Sequence, residues 1–222
     1  MARTNADKPT TGPRIALPDL VDFDGDDLEP SRDYDTILFA DRDFAGQDAS
    51  DARFLECRIE RCGMEGLTMS RGRIVDCELV DLFGASLELA DSTWRNSEMT
   101  GGRLGVLTLA GATMTSVRFH GIKLGFVNLS GARLEDVVFE ECEIGSLDAG
   151  AAQLRSVSFP GSAIAELNVD EATLARVDLS GAKLKALIGV ENLRGAIISH
   201  QQLLDLAPLL AAQLGVTVRP EE

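Results

Sequence analysis

The chain has 222 residues, a formal net charge of −15 and a pI near 4.5, with 45% hydrophobic but only 5% aromatic residues. That length suits one domain with a sizeable core. The acidity disfavours direct nucleic-acid binding, which needs clustered Lys and Arg, and no run approaches the length of a membrane span.

Residues 1–14 lack an apolar stretch and read as a disordered leader without a secretory signal, in a cytoplasmic protein. Residues 15–36 hold Asp19, Asp22, Asp24, Asp26, Asp27 and Glu29. They read as an acidic N-terminal arm that covers an open end with Leu17, Leu20, Val21 and Phe23, or as an acidic docking arm.

From Phe39 to Leu184 a large apolar residue returns every fifth position, with only Ala49, Gly84 and Ala149 as exceptions. The position two earlier, from Ile37 to Leu187, carries a single charge, Arg42. A period of five fits neither a helix nor a flat strand. It fits a chain that turns a corner every five residues, with both positions inward because an unpaired charge there would be desolvated.

A period of twenty lies over the period of five. Leu67, Leu87, Leu107, Val127, Leu147, Leu167 and Leu187 form a bulky column, and Ala52, Gly72, Ser92, Ala112, Ala132, Ala152 and Ala172 a small one. Four fives per circuit describe a square coil whose sides stack in parallel, as in a solenoid. Residues 37–190 would make about seven and a half coils, a rod roughly 35 Å long at the spacing of stacked strands. Gly111, Gly121, Gly131, Gly161 and Gly181, with Gly105, Gly125 and Gly145, are the expected turn residues.

Cys57, Cys62, Cys77 and Cys142 all occupy inward positions and read as core fillers rather than metal ligands or a disulfide framework. Trp94 is inward as well. His120 follows Phe119 on an outward corner and has no nucleophile or acid to form a catalytic set. No catalytic residue, cofactor or metal is therefore expected, and the chain reads as a non-enzyme. Val106 and Phe126 share one outward position a coil apart, beside Gly105 and Gly125, and form a candidate interaction patch.

After Leu187 the phase breaks. Residues 191–222 read as a closing strand over Leu193–Ile198, a C-terminal helix and a tail. Ser199 and Gln202 form an S-x-x-Q capping box, Pro208 is expected to kink or split the helix, and Gly215 to stop it. Leu203, Leu206, Leu210 and Leu214 lie on one helical face.

Segments such as Val127-Asn128-Leu129-Ser130-Gly131 and Ala132-Arg133-Leu134-Glu135-Asp136 resemble the pentapeptide-repeat family. The resemblance covers about two-thirds of the chain and implies an all-β solenoid. Its form is a right-handed quadrilateral parallel β-helix, here of about seven to eight coils with a short C-terminal α-helical cap. Few Asp or Asn precede the central residue, although Asn128, Asp148, Asn168 and Asp178 comply.

Some family members imitate B-form DNA and inhibit DNA gyrase or protect it from quinolones, and gyrase-inhibiting members pair end to end through a C-terminal helix. The resemblance thus implies a protein partner, with DNA gyrase as one candidate, and a homodimer through the leucine face. The candidate DNA-mimic acids are Glu135, Asp136, Glu140, Glu141, Glu143, Glu166, Asp170 and Glu171. Between Met99 and Leu134 there is no Asp or Glu, whereas Arg103, Arg118, Lys123 and Arg133 are present. That gap favours an interaction scaffold of another kind over a continuous DNA mimic.

Overall fold

A computed structural model gives the structure of the protein and describes residues 12–217. The chain coils as its periodicity predicts, each side stacking in parallel on the residue twenty positions later. Trp94 pairs with Met114 and Met114 with Leu134, while Leu104 pairs with Leu124. Strands Thr93–Thr100, Thr113–His120 and Arg133–Glu140 each run through one corner and supply two sides of the square. The next strands, Arg103–Thr108, Lys123–Asn128 and Glu143–Asp148, supply the other two. They belong to a thirteen-stranded and a seven-stranded sheet respectively.

The four sides are numbered in chain order from the one whose inward residues include Phe54, Ile74 and Trp94. The second carries Phe119, Phe139 and Phe159 inward, the third Leu104, Leu124 and Ile144, the fourth Leu109 and Leu129. All of these are buried. Phe119 stacks on Phe139 at 4.6 Å between ring centres and Phe139 on Phe159 at 5.2 Å, a direct result of their spacing by twenty. The Trp94 indole donates to the Ser92 hydroxyl at 3.0 Å, and Ser92 donates to the Leu89 carbonyl at 2.6 Å. A small residue thus makes room for a large one and satisfies its one polar atom.

The four cysteines are buried free thiols. Ser97 and Ser162 stand in the same inward columns and accept from the backbone N–H of Cys77 and Cys142, the work of a small polar filler.

Corner chemistry differs from the expectation in one respect. Gly111, Gly121, Gly131 and Gly161 do adopt positive φ, but Gly105, Gly125, Gly145 and Gly181 do not. Many corners of the same class are instead held in the left-handed region by ordinary residues, including Asp41, Arg61, Asp91 and Ala151. Each such residue costs on the order of 1 kcal/mol, a strain tolerated because the stacked coils above and below fix the backbone. The corner between the third and fourth sides is different. Val106 and Phe126 continue the ladder there, paired with each other and with Ser86 and Ser146.

The solenoid makes about nine turns, more than the seven to eight expected. Both ends add sides that break the period. Val21–Asp22 pairs with Ile37–Leu38 at a separation of sixteen residues, and Ala196 pairs with Val177 at nineteen. Counting fives cannot register coils with altered spacing. Phe23, Leu28 and Tyr34 are buried, and the Phe23 ring packs on Phe39 at 4.7 Å. Val21 is exposed. The leader expected at 1–14 lies mostly outside the described residues; Arg14 exchanges hydrogen bonds with the Asn96 side chain through its backbone N–H and carbonyl.

A single helix, His200–Gln213, follows the last coil and contains Pro208 without splitting there. Proline removes one backbone donor, and Pro208 lies on the exposed face of the helix. The capping box of Ser199 and Gln202 is present. Gly215 takes φ +71°, with Val216 N–H bonded to the Ala211 carbonyl and Gly215 N–H to that of Ala212, a Schellman stop. Gln202 also donates to the Leu179 and Ala182 carbonyls at 2.7 and 3.0 Å, and Leu206 is buried beside it. Among the described residues no helix is long and apolar enough to cross a membrane.

Candidate interaction surface

Outward side chains fall at the positions before and after each inward residue and at the corners, so the register of twenty sorts every charge by side. The fourth side presents Asp48, Glu88, Asp148 and Asp170, bordered by Asp51, Asp91 and Glu171 at the following corner, where Arg71 is the one base. The second presents Glu60, Glu78, Glu98, Glu140 and Asp178 against Arg58 and Arg118. These two sides are opposite one another. The first carries Arg53, Arg73, Arg95, Arg133 and Arg155 against Asp33, Asp35 and Glu135, and the third Arg103, Lys123, Lys183 and Lys185 against Asp43, Glu65 and Glu143.

Acids and bases that share a column pair along the rod. Arg61 bonds Asp41 through two contacts of 2.7 Å, and Arg71 bonds Asp51 likewise at 2.9 and 2.7 Å. Both guanidiniums hold their partner carboxyls below the usual carboxylate range. Arg118 reaches Glu98 at 2.8 Å, and Lys123 reaches Glu143 at 3.2 Å. His120 is half-buried on the second side, its Nδ1 3.5 Å from Glu140.

The eight candidate acids do not gather into one stripe. Glu135 and Asp136 lie on the first side and its corner, Glu140 and Glu141 on the second and its corner, and Glu143 on the third. Glu166, Asp170 and Glu171 belong to the fourth and its two corners. Their separations are not multiples of twenty, so adjacency in sequence carries them around the rod. Glu135 is 3.8 Å from Arg155, and Glu166 accepts from the Ser146 hydroxyl at 3.3 Å.

Val106 and Phe126 are brought together as adjacent rungs, Val106 exposed and Phe126 half-buried. Beside them runs a feature the sequence reading did not identify: a shallow trough of about 580 Å³ along the third side. Gly105, Gly125 and Gly145 form its floor, with Arg103, Lys123, Glu143, Lys183 and Lys185 about it. These glycines serve close approach rather than left-handed turns. A Cβ at Gly105, Gly125 or Gly145 would meet a carbonyl oxygen of the preceding coil at 2.4–2.5 Å. Their spacing by twenty was the available signal, together with the basic residues two positions before Gly105 and Gly125.

Of the candidate dimer leucines, Leu206 is buried within its own chain and Leu210 is half-buried, whereas Leu203 and Leu214 are exposed. Leu204, Leu209, Ile188 and Ile197 are exposed as well. Among the described residues no group of His, Cys, Asp and Glu is arranged to hold a metal ion.

No protein-family model matches the chain, and no curated protein matches it. Among solved structures it is similar to QnrB1, a plasmid-mediated fluoroquinolone resistance protein. A trypsin-treated form is 15% identical with a TM-score of 0.37, covering 93% of this chain and 100% of the other. A second trypsin-treated form is 18% identical with a TM-score of 0.30, covering 90% and 95%. The full-length protein is 20% identical with a TM-score of 0.37, covering 84% and 92%. The square coil of four five-residue sides rests on this chain's own register.

Proposed function

We propose that this chain is a non-enzymatic interaction scaffold of the pentapeptide-repeat type, working in the cytoplasm, whose partner is a protein. The observation that carries the reading is the middle of the rod. There the acids stop, and Val106 and Phe126 stack beside a glycine-floored trough with Arg103 and Lys123. A rigid parallel ladder holds these side chains at fixed spacing, which lowers the ordering cost of binding. The test is a photo-crosslinking phenylalanine analogue placed at Phe126 in cells. A discrete adduct weakened by Val106→Asp is expected. Adducts from the opposite side, at Thr115, with none at Phe126, would overturn the reading.

A second reading, a DNA-mimicking gyrase inhibitor or quinolone-protection protein, is favoured by the acid columns on the second and fourth sides. Titrating the protein into a gyrase supercoiling assay, with and without a quinolone, distinguishes the two. Inhibition or reduced quinolone-trapped cleavage at low micromolar protein would replace the scaffold reading by the mimic, and no effect at much higher concentration would remove the mimic. In either role the exposed leucines of the terminal helix suit pairing with a second copy.

A further inference from the structure

We infer that the trough on the third side is a binding site for an extended, acidic peptide segment of a partner protein, lying along the rod axis. The inference rests on the scaffold reading above and names the chemistry of its partner.

The trough is a cationic strip on a strongly acidic molecule. Arg103 and Lys123 stand at one end, Lys183 and Lys185 at the other. Among the described residues Arg103, Lys183 and Lys185 have no ion-pair partner, and neither do Arg73, Arg95 and Arg133 on the first side, but only the third-side bases border a trough; Arg58, Arg61, Arg71 and Arg118 are paired. Glu143, the one acid within the trough, is held by Lys123 at 3.2 Å. Unpaired bases at two ends of one concave surface call for anionic groups at both ends of a ligand.

Distance sets the ligand's length. Residues 103 and 183 are four coils apart, roughly 19 Å at the spacing of stacked strands, which about six residues of extended chain would span. Along the trough the floor is bare backbone at Gly105, Gly125 and Gly145 and then carries only the methyl of Ala165, so a peptide with small central residues can lie close to it. The half-buried Phe126 ring at the neighbouring corner offers an apolar contact to one of those residues.

Width and charge select against broader anions. One side of the square is about three residues across, roughly 10 Å. The sides flanking the trough are the two acidic ones. A nucleic-acid duplex, broader than one side, would lie over Glu98, Glu140 and Asp178 on one flank and over Asp148 and Asp170 on the other. A single extended chain stays within the cationic strip, and at physiological ionic strength charges beyond about 8 Å are largely screened.

The test is fluorescence anisotropy with the full chain and a labelled peptide about ten residues long, with two glutamates at each end and Gly, Ser and Ala between. The same peptide with lysines in place of glutamates and a single-stranded oligothymidylate of equal length are the controls. Saturable binding of the glutamate peptide is expected, weakened about tenfold or more by Lys183→Glu with Lys185→Glu and again by Arg103→Glu. These side chains are exposed, and unchanged circular dichroism and thermal midpoint would show that the variants fold.

Four outcomes would overturn the inference: no peptide binding up to millimolar concentration, binding that ignores the charge reversals, equal binding of the lysine peptide, or tighter binding of the oligothymidylate. A charge reversal that instead lowers the solution mass would reassign the trough to a second copy of the chain. Failure here with a surviving Phe126 adduct would leave the scaffold reading intact. Loss of that adduct with peptide binding retained would do the reverse.

Discussion

A methyl group added at Gly125 would meet the carbonyl oxygen of Gly105 at 2.4 Å, whereas one added at Gly131 meets nothing within 4 Å. The two glycines therefore answer different demands. Gly131 supplies φ +65°, but Ala151, one coil on in the same corner, already holds φ 54°. Gly131→Ala should cost about 1 kcal/mol, the ordinary penalty of the left-handed region. Gly125→Ala must push a stacked strand away, and overpacking of that kind costs about 1–3 kcal/mol. Urea denaturation of both variants should rank Gly125→Ala as the more destabilised; the opposite order would mean that the trough floor has slack.

Charge at the same scale gives a pH prediction. The Asp51 carboxyl is held low by Arg71, and an unfolded aspartate titrates near pH 4, at about 3.9. A depressed folded value stabilises above the unfolded one, and that stabilisation is lost as pH falls through the folded value. The advantage of the natural chain over Arg71→Met should thus be constant above about pH 4 and shrink below it. Both side chains are exposed, so the effect is small. An advantage unchanged down to about pH 2 would rule out Asp51 as its source.

Among the elements, the terminal helix is tied to the solenoid by one polar residue. Gln202 donates to the Ala182 carbonyl, which would otherwise be open at the end of the stack, and to the Leu179 carbonyl, which also accepts from Ala182 N–H, and it accepts from Ser199 N–H. Gln202→Met keeps the side-chain length but leaves the Ala182 carbonyl and Ser199 N–H without this partner, at a cost of about 1–3 kcal/mol. Native-state hydrogen exchange should show the loss first in the last coil and the helix. Uniform loss along the rod would mean that the coils unfold as one unit, against the expectation that repeats interact mainly with neighbours.

For the whole molecule, the charges segregate into two acidic sides and two carrying most of the bases, a consequence of a twenty-residue register acting on outward residues. The helix leaves Leu203, Leu204, Leu209 and Leu214 exposed near Ile188 and Ile197. If two copies pair through this surface, Leu204→Glu with Leu209→Glu should halve the mass measured by light scattering while circular dichroism stays unchanged. A mass equal to one chain before substitution, or unaltered after it, would reject the pairing. Leu206 is unsuitable for that test, because it is already buried within its own chain.

The inward register was legible in the sequence because it is a steric and hydrophobic demand repeated at every coil. A charge at Phe119 or Val117 would be buried without a partner, so period and side length appear directly in the residues. The cap at Ser199 and Gln202 and the stop at Gly215 are local backbone chemistry and were equally readable. Outward residues obey no such demand, and which of them meet is decided by the closed coil. Glu135 and Glu143, eight residues apart, face different ways, whereas Arg103 and Lys183, eighty apart, border one trough. The extra end coils escaped the count because their pairing departs from twenty, and the burial of Leu206 within its own chain followed only from the docked helix. Sequence determined what must be inside at every turn; tertiary structure decided which surface residues share a face, because only stacking brings distant repeats into register.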